Sequence, residues 1–181
     1  IDNWNTQKNR SNTELEILKV MRENLNSDLK DMEINLHQYT TALKSTAKVL
    51  ASFNNPSYKS DSLDFYFGNL RQTAFFIKTT SAYENLKTIG FELIKNDSLK
   101  KNIMHIYGKK YQFIENLEAS HSKFHHSELL PQLLDNVITY TAISAEPINF
   151  YKLEKNHRFK QTLTFSYGWL SELIEQYLSL I

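Results

Sequence analysis

SNTELEILKVMRENLNSDLKDMEINLHQYTTALKSTAKVLASF, residues 11–53, decides the fold. Leu18, Met21, Leu25, Leu29, Met32, Leu36, Tyr39, Leu43, Ala47 and Leu50 recur in steps of three and four. That period lies between a straight helix and a coiled coil, so the stretch predicts one long amphipathic helix. Ser11 and Glu14 have the spacing of a capping box that would start it, although the pattern also allows helix back through Trp4. Asn54-Asn55-Pro56-Ser57 ends it, because proline disfavours helical geometry at the residue before it. At ~1.5 Å per residue the helix is about 60 Å long, a stalk as well as a core element. Ile17, Val20, Ile34 and Val49 fall off the stripe. They either widen the core face or form a second surface for a homodimer or a partner helix.

Working outward, the remaining segments also read as helices. Asp61 is placed to cap a helix carrying Leu63, Phe67, Leu70 and Ala74, followed by the apolar run Phe75-Phe76-Ile77. Ser81 and Glu84 repeat the capping-box spacing before a short helix to Ile89, with Gly90 as a left-handed stop and Phe91 folding back. Asn96 or Asp97 starts a helix to about Ser127 along Leu99, Ile103, Tyr107, Tyr111, Ile114, Leu117, His121 and Phe124, interrupted by Gly108. Ser127 is positioned to cap another helical piece through Tyr140, with Pro131 in its first turn. Residues 141–155 read as a crossing segment broken at Glu146-Pro147 and packed through Ile148, Phe150, Tyr151 and Leu153. Asn156 caps a last helix, Phe159 to Ile181, facing inward through Leu163, Leu170, Leu173, Ile174, Tyr177 and Leu180. Long apolar stripes need partners. The expected fold is therefore all-α, an antiparallel bundle of about four main helices with a stalk and a short middle helix.

Composition agrees. Four Gly and three Pro leave few turns, and 23% charged with 41% hydrophobic residues is ordinary for a globular domain. The absence of Cys excludes disulfides and thiolate metal sites. Net charge is +1 with no basic stripe, which argues against a nucleic-acid partner. No Gly-rich phosphate loop and no Gly-x-Ser-x-Gly elbow occurs, so no nucleotide or other cofactor is indicated.

Two side-chain groups carry candidate chemistry. Glu118, His121 and His125 share one helical face, and imidazoles at i and i+4 are able to chelate a divalent metal. His121 also lies in the core stripe, where a hydrogen-bonded histidine needs no metal. Glu154 with His157 repeats the Glu-x-x-His spacing of di-iron bundles, and Glu33 with His37 adds an i, i+4 pair, but neither sits on a matching apolar face. Arg71 with Phe75, Phe76 and Tyr83 would suit a small carboxylate ligand, or else the aromatics fill the core and Arg71 makes a surface ion pair.

Residues 1–10 read as a juxtamembrane segment and 11–181 as the bundle. Trp4 among amides, ahead of a polar helix, is the pattern found just outside a membrane span, where indoles sit at the headgroup level. The chain starts without Met and contains no spanning apolar run, so a membrane helix is expected upstream. Ile1-Asp2-Asn3-Trp4-Asn5, Glu14-Leu15-Glu16-Ile17-Leu18-Lys19 and Arg22-Glu23-Asn24-Leu25 resemble domain-of-unknown-function family 6090. So do Thr80-Ser81-Ala82-Tyr83-Glu84-Asn85-Leu86-Lys87, Gly90 and Leu93-Ile94-Lys95-Asn96-Asp97-Ser98-Leu99, although Asp2 stands where that family usually has Asn. The resemblance implies an uncharacterised bacterial single-pass protein of the inner membrane. Its basic N-terminal flank would stay in the cytoplasm and this domain would lie on the periplasmic side. It brings no catalytic residues. The expected function is binding, sensing or assembly by a tethered helical domain; the competing class is a metal-dependent enzyme using Glu118, His121 and His125.

Overall fold

A computed structural model describes residues 2–54 and 62–181, with side chains from Gln7 onward. The protein is all-α apart from one hairpin. Helix α1 runs from Asp2 to Ser52, α2 from Leu63 to Asn69 and α3 from Ser81 to Ile89; a 3-10 turn covers Phe91–Leu93. Then α4 (Asp97–His105), α5 (Tyr111–Phe124) and α6 (Leu130–Asn136) follow one another through two π-helical turns, Ile106–Lys110 and His125–Leu129. Strands β1 (Val137–Thr141) and β2 (Ser144–Pro147) pair antiparallel, with a register shift between Thr139 and Thr141. Short α7 (Phe150–Leu153) leads to α8 (His157–Leu178). No described helix is long and apolar enough to cross a membrane. Trp4's side chain, Pro56 and Asp61 lie outside the described residues.

Two compact units divide the chain. One comprises residues 1–33 and 76–115, the other residues 34–75 and 116–181.

In the first unit, α1 presents a face rotated from the expected stripe. Ile17, Met21, Asn24, Asp28 and Met32 are buried, whereas Leu29 is 37% exposed. The polar residues repay their burial by bonding the extended segment before α3. Asp28 Oδ1 accepts from the Thr79 amide at 2.7 Å and Asp31 Oδ2 from the Ile77 amide at 3.1 Å. Asn24 meets the Ser81 hydroxyl. The extended chain before α3 is thus stapled to α1 through side chains, which satisfies backbone donors that a helix or sheet would otherwise take. Ser11 lies inside α1 and starts nothing. Its hydroxyl accepts from Lys95 Nζ at 2.6 Å, and Glu14 accepts from the Lys95 amide at 2.9 Å. The second capping box is also absent: Thr80 is the N-cap of α3, and Glu84 instead pairs with Lys87. Gly90 does take positive φ, +110°, but with ψ 135° it turns the chain into an extended exit rather than a Schellman turn. Asn96 caps α4 as its sequence position predicts, accepting from the Leu99 amide.

In the second unit, Val49, Phe53, Leu63, Phe67, Leu133, Leu153, Phe159 and Leu163 form the apolar core. Helix α2 stops at Asn69, and Phe75 is half exposed. The helix expected through Tyr140 ends at Asn136, because Val137-Ile138-Thr139-Tyr140-Thr141 is β-branched and aromatic and pairs as β1. No break occurs at Ser127. The π turn over His125–Leu129 carries the helix into Pro131, whose ring cannot donate and crowds the carbonyl one turn back. Gly68 permits the hairpin to approach α2: a Cβ there would lie 2.3 Å from the Ile143 carbonyl carbon. Asn156 caps α8, accepting from the Phe159 amide at 3.1 Å.

Candidate functional site

The second unit holds a polar cluster inside its helices. The buried face of this part of α5 and the π turn after it passes through Glu118, His121 and His125, so Glu118 and His125 replace the expected Leu117 and Phe124. Opposite them, α1 supplies Asn35 and Tyr39, and α8 supplies Tyr177. Glu118 Oε1 accepts from Tyr39 at 3.0 Å and from Tyr177 at 2.5 Å. Asn35 donates to the Tyr177 hydroxyl at 3.2 Å. Tyr39 also lies 2.5 Å from the Ala74 carbonyl. A phenol has one proton, so Tyr39 serves the two acceptors in turn.

Burial favours the neutral forms of the phenols and imidazoles in this cluster. Burial, then Glu118, pushes both the Tyr39 and Tyr177 phenols well above their ordinary range. Burial lowers His121 to about 4, with His125 adding to the shift. His125 is lowered by burial and by His126; the nearby main chain at Arg71 opposes this, yet neither ring nitrogen of His125 is in hydrogen-bond geometry with a partner among the described residues. The His121 ring stands edge-on to Tyr39, their centroids 6.0 Å apart.

Glu118, His121 and His125 therefore share one face as predicted, but not as a chelating set. Among the described residues no group of three or more acids and histidines is placed to hold a metal ion. Glu118 turns its Oε1 onto two phenols. Of the four residues expected to form a carboxylate clamp, two fall in each unit. Arg71 donates to the Thr141 carbonyl at 3.1 Å and Phe75 is solvent-facing, both in the second unit. Phe76 packs on Tyr111 and Tyr83 stacks on Tyr107, both in the first.

The first unit has its own buried polar line. Asp28 Oδ2 accepts from Tyr111 at 3.0 Å, which together with burial raises that phenol. Tyr107 is pushed up to about 12 by burial and then by Asp28, and its hydroxyl has no hydrogen-bond partner among the described residues. Beside this line, α1 and α3 enclose a surface hollow of about 350 Å³. Ile17 and Ala82 form its floor; Val20, at 44%, and Ile89, at 51% exposed, form its walls. Ser81, Ala82, Asn85 and Ile89 escaped the sequence reading as site residues. The available signal was that Val20 and Ile89 are apolar residues outside any core stripe.

No family model, curated protein or solved structure matches the chain.

Proposed function

We propose that this chain is the extracytoplasmic, membrane-tethered part of a bacterial single-pass protein, and that it works by binding a partner rather than by chemistry. The observation that carries the binding reading is the apolar hollow between α1 and α3. Its walls combine half-exposed Val20 and Ile89 over the buried floor of Ile17 and Ala82. An exposed apolar patch on a folded domain is a usual mark of an interaction surface. Glu118 with Tyr39 and Tyr177, and Asp28 with Tyr111 and the Thr79 amide, are bonded to one another, which supports a part in holding the fold. Support for the tether comes from Trp4 among amides and from the resemblance to family 6090.

On this reading the hollow takes an apolar helix face, either of a second copy through the α1 side or of a partner anchored in the same membrane. Tethering raises the effective concentration of such partners, so a small patch is enough. Photo-crosslinkers at Val20 and Ile89, in membranes of the producing bacterium, are expected to give discrete adducts. Reporter fusions after Ile181 test the tether separately and are expected to read outside the cytoplasm. A cytoplasmic readout contradicts the orientation, and clean monomer at both crosslinking positions contradicts the binding surface.

A further inference from the structure

Helix α8 carries a second surface with a different logic. Its charges run against its dipole. Arg158 and Lys160 lie in the first turns and Glu172 and Glu175 near the end, with no acid in the first turn and no base in the last. A helix macrodipole favours the reverse order. Midway stands Gly168, which costs helix stability relative to Ala and usually marks a close approach. Yet a Cβ at Gly168 would meet nothing within 4 Å in its own chain. One turn back, Phe165 is 65% exposed. It separates two hollows: about 360 Å³ beside Phe124, Arg158 and Gln161, and about 550 Å³ over Thr164, Gly168, Trp169 and Glu172.

We infer that α8 pairs antiparallel with α8 of a second copy, crossing at Gly168. The reversed charges fit this occupant. About a two-fold axis through Gly168, the cationic half of each helix meets the acidic half of the other, and Gln161 faces Glu175. Each Phe165 then faces Ser171 of the other copy and enters the hollow beside Trp169 and Glu172. The contact is isologous and closes on itself, as a cyclic dimer requires. The missing side chain at Gly168 lets the backbones approach, which explains a glycine with open space above it. One helix pair buries on the order of 1,000 Å², the low end for specific association, so the dimer is weak and reversible. In this unit α8 runs antiparallel to residues 34–52 of α1, as the Asn35–Tyr177 and Phe53–Phe159 contacts show. The inference stands apart from the tether reading and from the α1–α3 hollow.

Sedimentation equilibrium of the 181-residue chain tests it. The expected result is a monomer–dimer equilibrium. Gly168→Ala is expected to weaken it about tenfold while the dilute monomer melts no lower, since Ala favours the helix and has room. Glu175→Lys is expected to weaken it too, and adding Gln161→Glu to the same chain to restore it, because these positions face one another across the axis. Monomer at every concentration up to the millimolar range overturns the proposal. So does a dimer indifferent to Gly168→Ala, or one that Gln161→Glu fails to rescue.

Discussion

His121 shows how a single side chain reports on the whole interior. Its pKa falls from 6.5 to about 4, chiefly because burial disfavours the imidazolium. Between those values the unfolded chain binds a proton that the native chain refuses. Stability is therefore full above pH 6.5 and falls as the pH drops toward 4, by about 3 kcal/mol at most for this group. His121→Phe is expected to flatten the acid limb of a denaturant-derived stability profile relative to the parent. An unchanged slope would mean that His121 is solvated. Residue identity alone located this histidine in the core, and its spacing with Glu118 and His125 put the three on one face. What sequence could not supply was the partner set. Tyr39 and Tyr177 lie far from Glu118 along the chain, and nothing local marks them as its donors. The same gap hid Asp28, whose ligands are the Thr79 amide and Tyr111.

At the level of the element, the long helix was legible and its orientation only in part: Met21, Met32 and Tyr39 of the expected stripe are buried, whereas Leu29 is exposed. Two stripes in α1 share the three-four period. One, through Leu25, Leu29 and Leu36, is greasier; the other, through Asn24, Asp28 and Asn35, is the buried one. Hydrophobicity chose the first, because polar burial is profitable only when partners await, and those partners come from elsewhere in the chain. The hairpin was missed for a related reason. Val137 to Thr141 has strand composition, but its partner Ser144–Pro147 is short and polar and joined without a Gly turn. Gly68 gives this region a sharp test. Gly68→Ala places a Cβ against the Ile143–Ser144 backbone, which cannot swing aside as a side chain would. The expected cost is about 2 kcal/mol or more, the scale of overpacking, with the circular-dichroism melt moving down accordingly. Gly90→Ala is expected to cost about 1 kcal/mol through its positive φ, even though only the flexible Glu92 side chain lies above it. Equal melts for Gly68→Ala and the parent would refute the close approach of β2.

In the whole molecule, buried and exposed groups have separate parts. Buried carboxyl and phenol groups bond helices to one another, while exposed Val20, Ile89 and Phe165 mark the surfaces proposed to meet a partner. All-α architecture followed directly from the scarcity of Gly and Pro and the long stripes. Interaction surfaces were only half visible, since an apolar residue outside a stripe is equally a surface patch or a rotated core: Ile17 and Val49 proved buried, Val20 and Ile34 exposed. The separation is tested most directly by the yield of crosslinked adduct from Ile89 in membranes, measured for two variants beside the parent. Val20→Asp alters only the wall of the hollow and is predicted to abolish the adduct while leaving the melt unchanged. Tyr39→Phe removes a hydroxyl that bonds Ala74 and Glu118, and is predicted to lower stability by about 1–3 kcal/mol while leaving the adduct intact below the melt. An adduct that survives Val20→Asp, or that vanishes with Tyr39→Phe in a still-folded domain, would contradict the account by placing recognition in the buried cluster.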